Sequence, residues 1–215
     1  MTTITETYRK SLSSNRFAHL TFSIFVLFWC YCYLNNTDEL NWWIENLLVL
    51  IFIPVLVFTQ KHFKFSDWSI LSIFLFLALH TFGAKNAYTY NTFGEWLQDT
   101  YQLERNPYDR IVHTGFGVFM IYPMMDLLYN KYKVPSRWLL LLSCSFILCL
   151  ATIFELIEWT VAEFTDSETG ETYVATQGDI WDAHKDIVLA WIGAGITGYF
   201  FKKRHFMAAQ KQTNH

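Results

Sequence analysis

The chain has 215 residues, of which 53% are hydrophobic and only 16% charged. Its long uninterrupted apolar runs describe an integral membrane protein and exclude an ordinary soluble domain. The net charge of −3, with no basic tract, argues against a nucleic-acid partner.

Residues 1–16 are polar and carry Arg9, Lys10 and Arg16. The first predicted span covers 17–34. Its length, and the polar Asn35-Asn36-Thr37-Asp38-Glu39 behind it, read as an uncleaved span rather than a signal peptide. Span two covers 42–59, with Pro54 as a kink. Span three covers 68–83 and carries His80 near its end. Residues 84–106 form the longest polar connection. Within it Phe93, Trp96, Leu97 and Tyr101 fall on one side of a short helix lying on the membrane surface.

Asn106-Pro107 reads as a helix start, with Asn as cap and Pro at the first helical position. Span four follows over 107–128. Asp109 is in its first turn, His113 is one turn deeper, and Pro123 marks its far end. Span five covers 138–161 and closes on Glu155 and Glu158. Thr176-Gln177-Gly178-Asp179 has the form of a capping box that opens span six, 180–201. Asp179, Asp182 and Asp186 recur at i, i+3 and i+7, so they share one helix face. The face continues as Ala190, Gly193 and Thr197, small residues of the kind that let a neighbouring membrane helix approach. Cys30, Cys32, Cys144 and Cys149 all lie inside apolar runs and form no disulfide framework.

The expected fold is therefore all-α: one membrane domain over 1–215, a bundle of six transmembrane helices with a short interfacial helix between spans three and four. Lys and Arg concentrate before span one, in 61–67, in 129–137 and after 201. The loops 35–41, 84–106 and 162–178 hold few of them and more acids. Basic loops stay on the cytoplasmic side, which puts both termini in the cytoplasm.

With that topology the ionisable residues of four spans fall at one level, the outer part of the bilayer. Asp186 lies about 10 Å below Asp179 along its helix, and His113 about 9 Å beyond Pro107. Ionisable groups at such depth mark function. His80, His113, Glu155, Asp182 and Asp186 are the expected metal ligands, and Glu158 the expected base. Asp109, Asp179 and Gln177 stand behind them, although Asp109 and Asp179 also suit first-turn capping. His184 lies opposite Asp182 and is left out. Arg105, Arg110 and Lys185 lie at the rim, too few and too shallow to neutralise every buried acid. Asp126, close to Lys131, is expected to reach the cytoplasmic interface.

Mixed imidazole and carboxylate donors favour zinc or another transition metal over magnesium or calcium. A site open to the outer leaflet admits a lipid or lipid-linked substrate. The expectation is a metal-dependent hydrolase or transferase, with the lipid bilayer as partner and no nucleic acid; oligomeric state is left open. Two other readings stay open: a small proton- or cation-coupled transporter using the same acids, and a non-catalytic scaffold whose polar groups lock helices together. The chain has no H-E-x-x-H, G-x-S-x-G or P-loop signature, so the reaction class rests on clustering alone.

Three blocks carry a family resemblance: Leu103-Glu104-Arg105-Asn106-Pro107-Tyr108-Asp109-Arg110-Ile111-Val112-His113, Glu155-Leu156-Ile157-Glu158-Trp159, and Thr176-Gln177-Gly178-Asp179-Ile180-Trp181-Asp182-Ala183-His184-Lys185-Asp186. Together they resemble the YjdF-type family of bacterial inner-membrane proteins, from span one to span six. His184-Lys185 departs from the family pattern, in which Gln or a similar residue stands nearby. The resemblance implies a polytopic protein of the bacterial cytoplasmic membrane and supplies no activity. A looser likeness, with a different ligand order, is to metal-dependent membrane hydrolases of the alkaline-ceramidase kind.

Overall fold

A computed structural model describes residues 9–164, 170 and 174–203. Among them are seven α-helices and no strand: α1 (Arg16–Leu34), α2 (Glu39–His62), α3 (Asp67–Ala84), α4 (Thr92–Tyr101), α5 (Tyr108–Asn130), α6 (Ser136–Phe164) and α7 (Asp182–Phe201). Five of them, α1, α2, α3, α5 and α6, are long and apolar enough to cross a membrane. The polar residues in the first two turns of α7, Asp182, Lys185 and Asp186, dilute its hydropathy.

Local chemistry sets where the helices begin. The side chains of Asn15, Asp38, Ser66 and Asn91 each accept a backbone N–H from the first turn of α1, α2, α3 and α4. Each thereby satisfies a donor that the helix leaves free. At the start of α5, Pro107 is the cap rather than the first helical residue, and Asn106 Oδ1 accepts the Tyr108 N–H at 3.0 Å. The Thr176–Asp179 box is corrected. The Asp179 N–H donates to the Thr176 carbonyl at 2.9 Å, which makes a turn, and α7 opens later, at Asp182. Gln177 (φ 50°) and Gly178 (φ 85°) take the left-handed backbone that this turn needs. Asp179 thus precedes the helix instead of sharing its face.

α5 is the centre of the bundle. It packs against α7 most extensively, then against α3 and α6, while α1 and α2 lean on α3 from outside. Glycine permits the α5–α7 contact. A Cβ on Gly117 would sit 1.9 Å from the Ala190 carbonyl oxygen, and one on Gly193 would sit 2.7 Å from the Thr114 carbonyl oxygen. The two backbones therefore touch, as small residues allow in membranes. The buried small face of α7 is Ala190, Gly193, Ala194 and Gly198; Thr197, expected on it, is only half-buried. The outer helices instead present apolar side chains outward, such as Leu27, Leu34 and Phe58. In a membrane their surroundings are acyl chains.

α4 exposes Phe93, Trp96 and Tyr101, and Gly94 is pressed against Asn106, where a Cβ would meet Oδ1 at 1.8 Å. Cys30, Cys32, Cys144 and Cys149 are all free thiols. At the opposite end of the bundle Asp126 is buried, and its partner is not Lys131. It pairs with Arg9 and accepts from Ser69 Oγ (2.7 Å), the Ser66 N–H (3.1 Å) and Asn130 Nδ2 (2.8 Å). Lys131 lies over the Tyr132 ring instead. A carboxylate satisfied this fully is a structural tie.

Candidate functional site

The site is built along one line of α5. Asp109 and His113 are one turn apart, and Arg105 stands one turn before Asp109, its Nη2 3.7 Å from Oδ2. His113 Nε2 is 3.4 Å from Asp109 Oδ1 and 3.4 Å from Glu155 Oε1 on α6. The tight α5–α7 contact brings Asp186 alongside. The result is two groups of ligand-capable atoms that share His113. One is Asp109, His113 and Asp186; the other is His113, Glu155 and Glu158. Within each group the atoms lie within 4.8 Å of one another. All five residues are buried.

Several oxygens in this cluster accept no hydrogen bond. Glu155 Oε1 and Asp186 Oδ1 are buried without a hydrogen bond, and so is Glu45 Oε2 on α2. A buried carboxylate oxygen without a donor is strongly disfavoured. The arrangement calls for more positive charge or protons than the single His113 imidazole supplies.

The other predicted residues stand elsewhere. His80 is outside both groups. Its Nε2 lies 3.1 Å from the Glu45 carbonyl, which only accepts, so Nε2 carries the ring proton. Its Nδ1 is left to accept from the Tyr88 hydroxyl. Burial, and then the neighbouring Glu45 carboxylate, push the Tyr88 phenol well above its ordinary range, so it keeps the proton it donates. Both imidazole nitrogens are thus engaged, and His80 ties α3 to α2 at the edge of the cluster. Asp182 is held by Arg105 and, at 3.3 Å, by Arg110. Arg105 is therefore more enclosed than the rim position expected of it: its side chain is only 11% exposed, and it donates also to the carbonyls of Thr176 (3.1 Å) and Ala175 (3.0 Å). Gln177 closes the same seam, accepting the Asn106 N–H at 2.9 Å and donating to the Asn106 carbonyl at 3.1 Å. His184 is exposed and packs edge-on against Trp181.

Asp179 sits at the water-facing mouth, paired with Arg110 at 2.6 Å and Lys185 at 2.5 Å. The hydrogen-bonded Lys185 ammonium, helped by the Trp181 N–H, holds its carboxyl down at about 2 against an ordinary 3.8. A depressed carboxyl favours the folded state above its unfolded value and loses that contribution as pH falls through the folded one. Asp179→Asn should therefore lower the thermal unfolding temperature in detergent at neutral pH. The gap to the native chain should close as pH falls from about 4 toward about 2. A gap that persists unchanged at acid pH would deny the ion pair its role.

One acidic residue escaped the sequence reading. Glu45 is 2% exposed and within electrostatic reach of Asp109 and His113. Its signal was present: a lone carboxylate one turn inside the apolar run 42–59, level with the other acids. Tyr88, which fixes His80, had no such signal, because an aromatic residue in a loop is unremarkable.

A family model described as "Predicted membrane protein (DUF2238)" matches residues 17–205. The chain belongs to that family. It is also 28% identical over 169 residues to "Inner membrane protein YjdF" of Escherichia coli (strain K12), covering 78% of this chain and 80% of that one. No solved structure matches. Family, relative and apolar helices together put this chain in the bacterial inner membrane.

Proposed function

We propose that this DUF2238 protein is a metal-dependent membrane enzyme, a hydrolase or transferase acting on a lipid or lipid-linked substrate at the outer face of the inner membrane. The observation that carries the reading is the pair of ligand-capable groups sharing His113, with oxygens on Glu155 and Asp186 inside them that accept no hydrogen bond. One imidazole among several carboxylates is a donor set for zinc or another transition metal, and it fits calcium or magnesium less well. Asp109, His113 and Asp186 would hold the ion, with Glu155 completing the set. Such an ion supplies a Lewis acid and an activated water at neutral pH.

The topology behind the reading has six spans and cytoplasmic termini. α7 has 20 residues, about 30 Å of helix, which is enough to cross the hydrocarbon core. Its packing against α5 and α6 supports reading it as the sixth span. Arg16, Lys61, Lys64, Lys131, Lys133 and Lys202 all lie at the bundle end opposite the acidic cluster, and basic loops face the cytoplasm.

The chain's own part in the chemistry falls to three groups. Arg105 neutralises Asp182 and stands farther from Asp109, which leaves Asp109 and the deeper carboxylates to bind. His80 and Tyr88 fix the α2–α3 wall. Glu158, fully buried beside Glu155, takes the proton of the attacking water or acceptor hydroxyl and returns it to the leaving group as the ester or phosphoester bond breaks.

The test is turnover of bacterial lipid extract in proteoliposomes, followed by mass spectrometry of the products. Glu158→Gln should retain metal and slow turnover by about 10²–10⁴-fold. A chelator should stop the native protein. Equal turnover by the variant would remove Glu158 from the reaction, and cation flux dependent on Glu155 with no product formed would favour a transporter.

A further inference from the structure

The site has two different approaches. Beyond Arg105, which faces Asp109, lies a polar basin of about 610 Å³, walled by Arg105, Arg110, Gln177, Asp179 and Lys185. On the other side, His113 closes an apolar cavity of about 220 Å³ that runs between α2, α3, α5 and α6. Beside that cavity lies a cleft of about 270 Å³ between α2 and α6, with Glu45 on its wall. Cavity and cleft share Leu48, Phe52, Phe154 and Ile157. Together they reach the size range of small-molecule sites.

α2 rests on α3 and makes no comparable contact with α6, so the cleft between α2 and α6 is lined on both sides by spanning helices yet closed by neither. Its mouth residues Leu47, Ile51 and Ile157 are exposed. At this depth in a bilayer the surrounding medium is hydrocarbon, not water. The cavity wall is almost wholly apolar, and it becomes polar only at His80 and His113. The occupant that suits such a wall is a hydrocarbon chain that ends in a polar group at the cluster.

We propose that one acyl chain of a membrane phospholipid enters sideways between α2 and α6 and lies in this cavity. Its ester or headgroup linkage then rests at His113 and Glu45. The assignment deepens the metal-enzyme reading and rests on it. It makes the substrate class an acyl lipid of the outer leaflet rather than a soluble ester. Glu45 takes a place beside the reacting group that the ligand groups alone do not give it.

The experiment uses the full chain in phosphatidylethanolamine–phosphatidylglycerol vesicles. They contain phosphatidylethanolamine with a diazirine midway along one acyl chain. After irradiation, labelled peptides are mapped and metal content is measured on the same samples. Lipid-facing residues such as Leu27 will label in any case. The diagnostic positions are Phe116 and Met120, on α5 behind the cleft. Label there is expected, and Leu48→Trp, which fills the passage, should reduce it several-fold while sparing Leu27 label and metal content. Should Leu48→Trp fail to fold, Ile157→Trp at the mouth asks the same question with a residue that is already exposed. Surface label with none at Phe116 or Met120, metal being present, would overturn the cleft alone. Internal label that neither variant reduces would also overturn it, since the chain would be entering elsewhere. Internal label blocked by Leu48→Trp in a protein that never holds metal would keep the cleft and sink the metal reading.

Discussion

Gly117→Ala should destabilise the protein even though alanine is the better helix former. Propensity alone favours the substitution by about 1 kcal/mol. Against it stands a Cβ placed 1.9 Å from the Ala190 carbonyl oxygen and 2.8 Å from the Ala194 nitrogen. Both obstacles are backbone, so no side chain can rotate away. α5 and α7 must move apart by more than an ångström, and overpacking of this kind costs about 1–3 kcal/mol or more. The clash outweighs the propensity. Gly117→Leu should be worse, because its extra carbons enter the same seam. Gly195, on the far side of α7, has nothing within 4 Å of a built Cβ. Gly195→Ala should therefore be neutral or stabilising by about 1 kcal/mol. Unfolding in detergent separates the two sites, and equal effects at both would mean that the helices are not in backbone contact. The same change should weaken the site, because Asp109 and His113 reach Asp186 only across that seam.

The second large effect is expected at Arg105. Its guanidinium is largely enclosed and serves Asp182, Asp109 and two backbone carbonyls at once. Arg105→Leu leaves the Asp182 carboxylate buried with only Arg110 near it. Breaking a buried pair from one side costs about 3–5 kcal/mol, whereas removing both partners is often close to neutral. Arg105→Leu should therefore lower the unfolding temperature strongly, and adding Asp182→Asn should restore much of the loss. A double variant worse than the two single losses combined would show that Asp182 has another, independent duty, such as ligation. A mild single variant would mean that water reaches Asp182 freely.

The helices were legible because membrane spans are written in composition. The apolar runs at 17–34, 42–59, 68–83, 107–128 and 138–161 lie on α1, α2, α3, α5 and α6. The small face of α7 announced a close neighbour but not which one; that α5 supplies Gly117 to meet it is a tertiary fact. The acids of the cluster were legible as a level in the bilayer. Which of them converge was not, since depth along a helix says nothing of rotation about it. Asp182 is one turn from Asp186, yet it faces Arg105 while Asp186 faces His113. His80 stood at the right height, but Tyr88 and the Glu45 carbonyl occupy both its nitrogens. Arg105 precedes α5 and so reads as shallow; the segment 175–177 folds over it and encloses most of its side chain.

The convergence of Asp109, His113, Glu155, Glu158 and Asp186 is the centre of the account, and elemental analysis tests it most directly. Protein purified without chelator and washed free of loose ions should carry a near-stoichiometric transition metal. His113→Ala should lose it, since His113 belongs to both ligand groups, and Asp186→Ala should lose most of it, with the chains still folded. A native protein without metal, or one whose metal content ignores both substitutions, would contradict the site.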